Sequence, residues 1–229
     1  MIIDLPYFIL ALAILWFPRQ WLRFGRGATR RLRWLRRSRR HLNEQMRTRE
    51  PGEVRLTVSD EFSKPRNYID FLRALAGGLL IVGNSEWEIV AAIRLEAVAT
   101  DAASGAAVTG LEYLRMGLVL VGVVIQFLRF EGRLTFYAPI FYLGGLGFAL
   151  CGLNAGLFAF ITCWILNSAA PLLPGGFLSL YALLIFMLGL LLRGLSDSFV
   201  LFMGAVSFLP VLVSLLARRS LAIFVKRMK

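Results

Sequence analysis

Histidine and lysine are almost absent from this chain. His41 is the single histidine, and lysine occurs only at positions 64, 226 and 229. The first scarcity excludes histidine-ligated haem, copper and multi-histidine iron or zinc centres inside a membrane, because such centres take imidazole ligands. The second leaves every lysine outside the apolar segments, so a retinal-type Schiff base among membrane helices is excluded. Cysteine is limited to Cys151 and Cys163, twelve residues apart in apolar surroundings with no C-x-x-C pairing. They carry no zinc or redox motif and read as buried packing residues. A serine nucleophile beside a base, paired intramembrane carboxylates and an acidic metal motif are also missing. "ASGAAVTG" at 103–110 lacks the lysine of a phosphate-cradling loop. No catalytic, cofactor-binding or metal-binding residue is assigned on this pattern, and enzymatic activity is disfavoured.

Charge itself is sparse. Charged residues make up 17% of the chain, against about 25% in soluble domains. The run from Leu134 to Leu192 contains no Asp, Glu, Lys or Arg. A hydrocarbon core takes roughly 20 helical residues to cross, so this run accommodates more than one crossing. The fold class is an all-α, polytopic integral membrane protein. Candidate spans fall at 3–17, 69–85, 111–128, 134–151, 155–170, 177–192 and 198–217. The first two are short, and the second contains Arg73. Seven spans are favoured, with six as the alternative.

What charge there is has one sign, a formal +12, and it is unevenly placed. Fifteen basic residues lie within 19–66, two within 129–133 and five after 217. These stretches alternate correctly with the spans if all three are cytoplasmic, as the positive-inside rule requires. Arg94 and Arg193 fall on the other side, and Arg73 and Arg115 at span ends. This predicts the N-terminus outside and the C-terminus in the cytoplasm, with a bacterial inner membrane as the expected location. Asp4 precedes the first apolar stretch and Arg19 follows it, the reverse of a cleavable signal peptide, so that stretch reads as a retained anchor. The domain division is an anchor helix at 1–18, a basic arm with a short extended segment at 19–66, a helical bundle at 67–217 with an outer loop at 86–110, and a basic tail at 218–229.

"RRLRWLRRSRRHL" at 30–42 is the densest feature of the arm. From Arg19 to Arg40 there are ten arginines and no acid, while Trp21, Phe24, Leu32, Leu35, Leu42 and Met46 recur near helical spacing. This predicts an amphipathic interfacial helix, bent around Gly25 and Gly27, with Arg heads reaching anionic head groups. Arg30, Arg31, Arg33, Trp34, Arg36, Arg37, Arg39 and Arg40 are the candidate lipid- or partner-binding residues. Nucleic acid also binds basic stripes, but the arm starts within two residues of an apolar segment and carries apolar anchors, so nucleic acid is not expected. Beyond it, "EVRLTVSD" at 53–60 alternates Val54, Leu56 and Val58 with polar residues. An extended linker is the favoured reading; a strand added to a partner's sheet, or to another copy, is the alternative.

Other features are weaker. Asp70 with Arg73, and Glu112 with Arg115, are pairs three residues apart on a helix face. They are candidate intramembrane polar groups at opposite depths, read mainly as interfacial anchors. Gly145, Ala149, Gly152 and Gly156 repeat a four-residue spacing that suits close helix packing, within the chain or between chains. Asn154 and Asn167 suit turn or interhelical hydrogen bonds. Ser85 and Glu88 form a capping-box pattern that predicts a short outer-surface helix ending near Thr100, with an extension of the second span as the alternative. The function favoured by this pattern is a non-catalytic membrane subunit, anchor or assembly factor, with other membrane subunits or a homo-oligomer, and anionic lipid, as partners. A small permease or lipid-handling protein is the alternative, and an intramembrane enzyme a distant third.

Overall fold

The computed structural model describes residues 2–18, 55–83, 89–94, 103–130, 134–194 and 197–223. Strand β1 (Ile2–Ile3) leads into helix α1 (Leu5–Trp16), which opens with Pro6 where a missing N–H costs nothing. The short helix α2 (Val58–Phe62) turns into α3 (Pro65–Val82), again started by proline. Strand β2 (Ile93–Arg94) pairs antiparallel with β1. The long helix α4 (Ala103–Phe127) runs into the hairpin β3 (Leu128–Phe130) and β4 (Leu134–Phe136). Helices α5 (Ile140–Ala169), α6 (Pro174–Arg193) and α7 (Ser198–Leu216) complete the chain, the last capped by Asp197 accepting from the Phe199 N–H at 3.0 Å.

Helix α5 is a hairpin. Gly152 adopts φ +83°, ψ 166°, which breaks the helix into residues 140–151 and 153–169. A side chain would be strained in that backbone, and glycine is not. The halves then fold against one another. A methyl group at Gly156 would stand 2.7 Å from the Phe148 backbone, and one at Gly144 would stand 2.6 Å from the Phe160 ring. The expected spans 134–151 and 155–170 correspond to these halves, except that 134–136 is strand and the first half starts only at Ile140.

Four helical stretches are long and apolar enough to cross a membrane: Val108–Phe127, Ile140–Ala169, Pro174–Arg193 and Ser198–Leu216. They mark an integral membrane protein with a helical bundle. The remaining expected spans differ in kind. Helix α1 has only 12 residues, and α3 carries Arg66, Asp70 and Arg73. Exposed apolar side chains cover the outside of the bundle, among them Ile9, Leu120, Ile165, Leu183 and Leu212. The interior is centred on Leu143, Leu146, Phe177, Tyr181 and Ile185, all at most 1% exposed. An aromatic group of Phe62, Phe141, Phe160, Trp164 and Phe177 joins α2, both halves of α5, and α6 through ring distances of 4.6–6.2 Å.

Contacts between segments sort the helix ends into two groups. At one, the arm end, Leu56 N–H donates to Leu172 O (2.9 Å), and Ala222 N–H donates to Phe136 O (2.9 Å). At the other, the loop end, Asp4 N–H donates to Ala92 O (2.9 Å), and Ser198 Oγ donates to Glu112 Oε2 (2.8 Å). Gly152 lies beside Arg193 at this end. Successive helices alternate direction between the two ends, counting the halves of α5 separately. Short connections force this, because neighbours joined by a few residues pack antiparallel.

Two local expectations change. Residues 89–94 are not helical, and Ile93–Arg94 pair as β2 with β1, whereas a capping-box helix was expected through them; the rest of that stretch lies outside the described residues. Helix α4 starts at Ala103, so the end of the expected outer loop is helical. In the segment around Leu56, residues 55–57 have no regular secondary structure, with Thr57 extended, and 58–62 are helical.

Candidate functional site

Helix α1 ends at Trp16, two residues before the chain reaches Pro18 and then the first arginine of the arm. The last carbonyls of any helix lack intrahelical donors. Here they are met by side chains from three other helices. Tyr142 Oη donates to Leu15 O at 2.9 Å. Gln126 Nε2 donates to Phe17 O at 3.0 Å, and Arg73 Nη1 donates to the same oxygen. Arg73 Nη2 donates to Gln126 Oε1 at 2.5 Å, while its Nε lies 3.0 Å from Asp70 Oδ1. The guanidinium carbon stands 5.4 Å from the centre of the Tyr142 ring. Trp16 Nε1 fixes α1 to α4 by donating to Leu118 O at 2.9 Å.

Geometry on α3 makes this possible. Asp70 and Arg73, three residues apart, share one face, and an arginine fork serves several acceptors in one plane. Both are buried, at 2% and 8% exposure. A buried ion pair is tolerated only when its partners are also hydrogen-bonded, since desolvating two charges costs several kcal/mol each. The main-chain oxygen of Phe17 and the amide of Gln126 supply those bonds to the arginine. Small residues make the close approach feasible: a methyl group at Gly77 would lie 3.1 Å from Leu15, and one at Gly122 would lie 2.7 Å from Tyr142 Oη.

The segment that returns from the arm is held as well. Asn167 Nδ2 donates to Leu56 O at 3.0 Å, and Asn167 Oδ1 accepts from Leu172 N–H at 2.9 Å. Leu56 is fully buried, and its own N–H donates to Leu172 O. The strand-like segment therefore docks on the turn between α5 and α6 of its own chain. Just after it, Glu61 binds Lys64 at 2.5 Å and Asn67 at 2.8 Å, which joins α2 to α3.

The loop end holds the second pair read from the sequence. Glu112 accepts from Ser198, and Arg115 donates to Ile93 O at 2.5 Å. Arg193 and Asp197 form an ion pair at 2.6 Å across the α6–α7 turn. Glu112 and Arg115 thus bind groups of the loop end, whereas Asp70 and Arg73 lie about half-way along α3, beside the end of α1. The small residues pack within the chain. A methyl group at Gly145 would collide with Phe71 O of α3, Ala149 lies 2.7 Å from the Cβ position of Gly78, Gly156 faces Phe148, and Gly152 makes the hairpin turn. Cys151 and Cys163 are free and buried. Arg30, Arg31, Arg33, Trp34, Arg36, Arg37, Arg39 and Arg40 lie outside the described residues, as does His41. Among the described residues no group of three or more His, Cys, Asp or Glu side chains is arranged to hold a metal.

Gln126 is the member of the clamp that sequence reasoning missed. Its signal was available: it is the only side chain of the amide or charged type between Arg115 and Arg129. Compared with protein-family models, curated proteins and solved structures, the chain matches none.

Proposed function

We propose that this chain is a non-catalytic subunit, anchor or assembly factor of a larger membrane complex. Its seven helical segments cross the bilayer with the N-terminus outside, and its basic arm meets anionic lipid or a partner subunit at the cytoplasmic face. The observation that carries this reading is the common root of the basic segments. Phe17 and Leu56, which bracket the arginine-rich stretch, are both held at the arm end, as are the β3–β4 hairpin, whose sequence includes Arg129 and Arg133, and the Ala222 bridge within the tail.

Charge supports the orientation. The described acids and bases of the loop end balance: Asp4, Glu112 and Asp197 against Arg94, Arg115 and Arg193. The sequence adds Glu86, Glu88, Glu96 and Asp101 there, and no base. The arm end receives the arm's ten arginines between Arg19 and Arg40. Each basic group near an anionic leaflet contributes about 1 kcal/mol, enough in sum to fix the arm end on the cytoplasmic side. The buried polar side chains Arg73, Gln126, Tyr142 and Asn167 all bond main-chain groups flanking the arm or the α5–α6 turn. That is the work of a scaffold positioning an arm.

Native mass spectrometry of the protein gently extracted from its own membrane tests the reading. Stable companion subunits are the expected result. A reproducible lone chain or homo-oligomer would transfer the case to a permease or lipid-handling protein. Replacing Arg30, Arg31, Arg36, Arg37, Arg39 and Arg40 by Gln tests the arm: binding to anionic liposomes weakens and orientation becomes less uniform. Unchanged binding and topology together would remove the arm from the proposal.

A further inference from the structure

Helix α1 is short and exposes apolar side chains on the outside of the bundle. Its 12 residues rise about 18 Å, whereas the hydrocarbon of a bilayer is about 30 Å thick. The 20 residues of α6 and 19 of α7 rise about 30 Å and about 28 Å, close to that thickness. The first half of α5 is as short as α1, but residues 140–152 are buried throughout, so lipid never meets them. Along α1 it does: Leu5, Ile9, Ala13 and Phe17 follow one another at four-residue spacing and are all exposed.

Both ends of α1 are fixed to neighbouring segments, and a charged residue stands just beyond each in the sequence. At the loop end, Asp4 N–H is bound to Ala92 O, and Ile2 and Ile3 pair with Arg94 and Ile93. At the arm end, Gln126 and Arg73 hold the Phe17 carbonyl, and the sequence places Arg19 two residues later. Leu15 is wedged against Gly77 and Gly122, which stops the helix from sliding along its neighbours. Tilting gives no relief, because a tilted helix covers less of the bilayer normal.

We infer that α1 is a lipid-facing surface fitted to a thin bilayer: phospholipids packed along it have short or compressed acyl chains, and their head groups are anionic, in keeping with the run of arginines that follows Phe17 in the sequence. This rests on the proposed crossing of α1, and it goes beyond the subunit reading by naming the lipid class that the surface takes.

Nitroxide labels read the bilayer depth directly. Single cysteines are placed at Leu5, Ile9, Ala13 and Phe17, and for comparison at Leu201 and Leu212 on α7, all of them exposed. Cys151 and Cys163 are buried, so the unsubstituted chain serves as the labelling blank. The full-length protein is reconstituted in phosphatidylglycerol vesicles, and collision with oxygen is compared with collision with a water-soluble nickel chelate. The expected profile peaks in oxygen at Ile9 and falls to head-group values at both Leu5 and Phe17. Leu201 and Leu212, almost as far apart in sequence, both stay in the hydrocarbon. An oxygen maximum at Phe17 would overturn the thin bilayer while leaving the crossing and the subunit reading untouched. Nickel access along the whole of α1 would overturn the crossing as well.

Discussion

Arg73, half-way along α3, donates to the carbonyl oxygen of Phe17, the point from which the basic arm departs. A buried guanidinium thereby ties the end of one helix to the middle of another, and Asp70 stands beside it at 3.0 Å. The buried charges of the bundle interior thus meet the chain at the carbonyl that precedes the basic arm.

Breaking the pair from one side should be costly. Arg73→Met leaves Asp70 without its buried cation and is expected to destabilise by about 3–5 kcal/mol. The double change Asp70→Leu with Arg73→Met should recover a large part of that loss. Denaturant unfolding in detergent measures both, and additive effects would mean that the two side chains are not coupled.

Gln126 serves Arg73 and Phe17 at once. Gln126→Leu removes an acceptor from the arginine and a donor from the carbonyl, with an expected cost of about 1–3 kcal/mol. The unfolding midpoint reports it, and a loss smaller than that of a neighbouring lipid-facing change such as Leu120→Ala would show that the amide does not bridge them.

Asn167 separates two roles by its two ends. Asn167→Asp keeps the acceptor for Leu172 N–H but presents oxygen to the Leu56 carbonyl, where the wild-type amide donates. Limited trypsin digestion should then cut faster after Arg55, with the helical bundle intact by circular dichroism. Cutting at the wild-type rate would mean that Leu56 is held by its own burial and not by the amide.

The small-residue positions are not equivalent. Gly145→Ala drives a methyl group into Phe71 O of α3 and should cost about 1–3 kcal/mol. Gly117→Ala meets nothing within 4 Å and should be neutral to slightly stabilising. Thermal midpoints of the two variants, compared with each other, check the close crossing of α3 and α5.

Gly152→Ala places a side chain at φ +83° and 3.0 Å from an Arg193 nitrogen. Strain of this kind costs about 1–3 kcal/mol. Intact spectroscopic helicity with a lowered midpoint is the expected result; an unchanged midpoint would show that the turn of the α5 hairpin relaxes.

Much of the architecture was legible in the chain itself. A run of 59 residues from Leu134 to Leu192 without ionisable acid or base is long enough for more than one apolar crossing, and Gly152–Asn154 was readable as a break because helical neighbours need a short link. The one-sided basic residues predicted which connections share an end, since connectivity between antiparallel helices leaves only two ends to share. The helix starts at Pro65 and Pro174 lie four and three residues before the expected span starts at 69 and 177, because proline at the first helical position begins a helix before its apolar run does.

Long-range pairing was decided only by the tertiary structure. Asp70 and Arg73 were visible as neighbours on a helix, but Gln126, Tyr142 and the Phe17 carbonyl lie 53 or more residues from Arg73 or join it through another helix. No periodicity encodes which buried acceptor a long side chain will reach. Likewise the alternation around Leu56 marked an extended, half-buried segment, and it took the packed bundle to place Asn167 and Leu172 beneath it. Composition and connectivity determine a membrane bundle with two unlike ends, because burial and helix length act locally. Which carbonyl a buried charge holds depends on how the helices cross, and that is settled only when their small residues have packed.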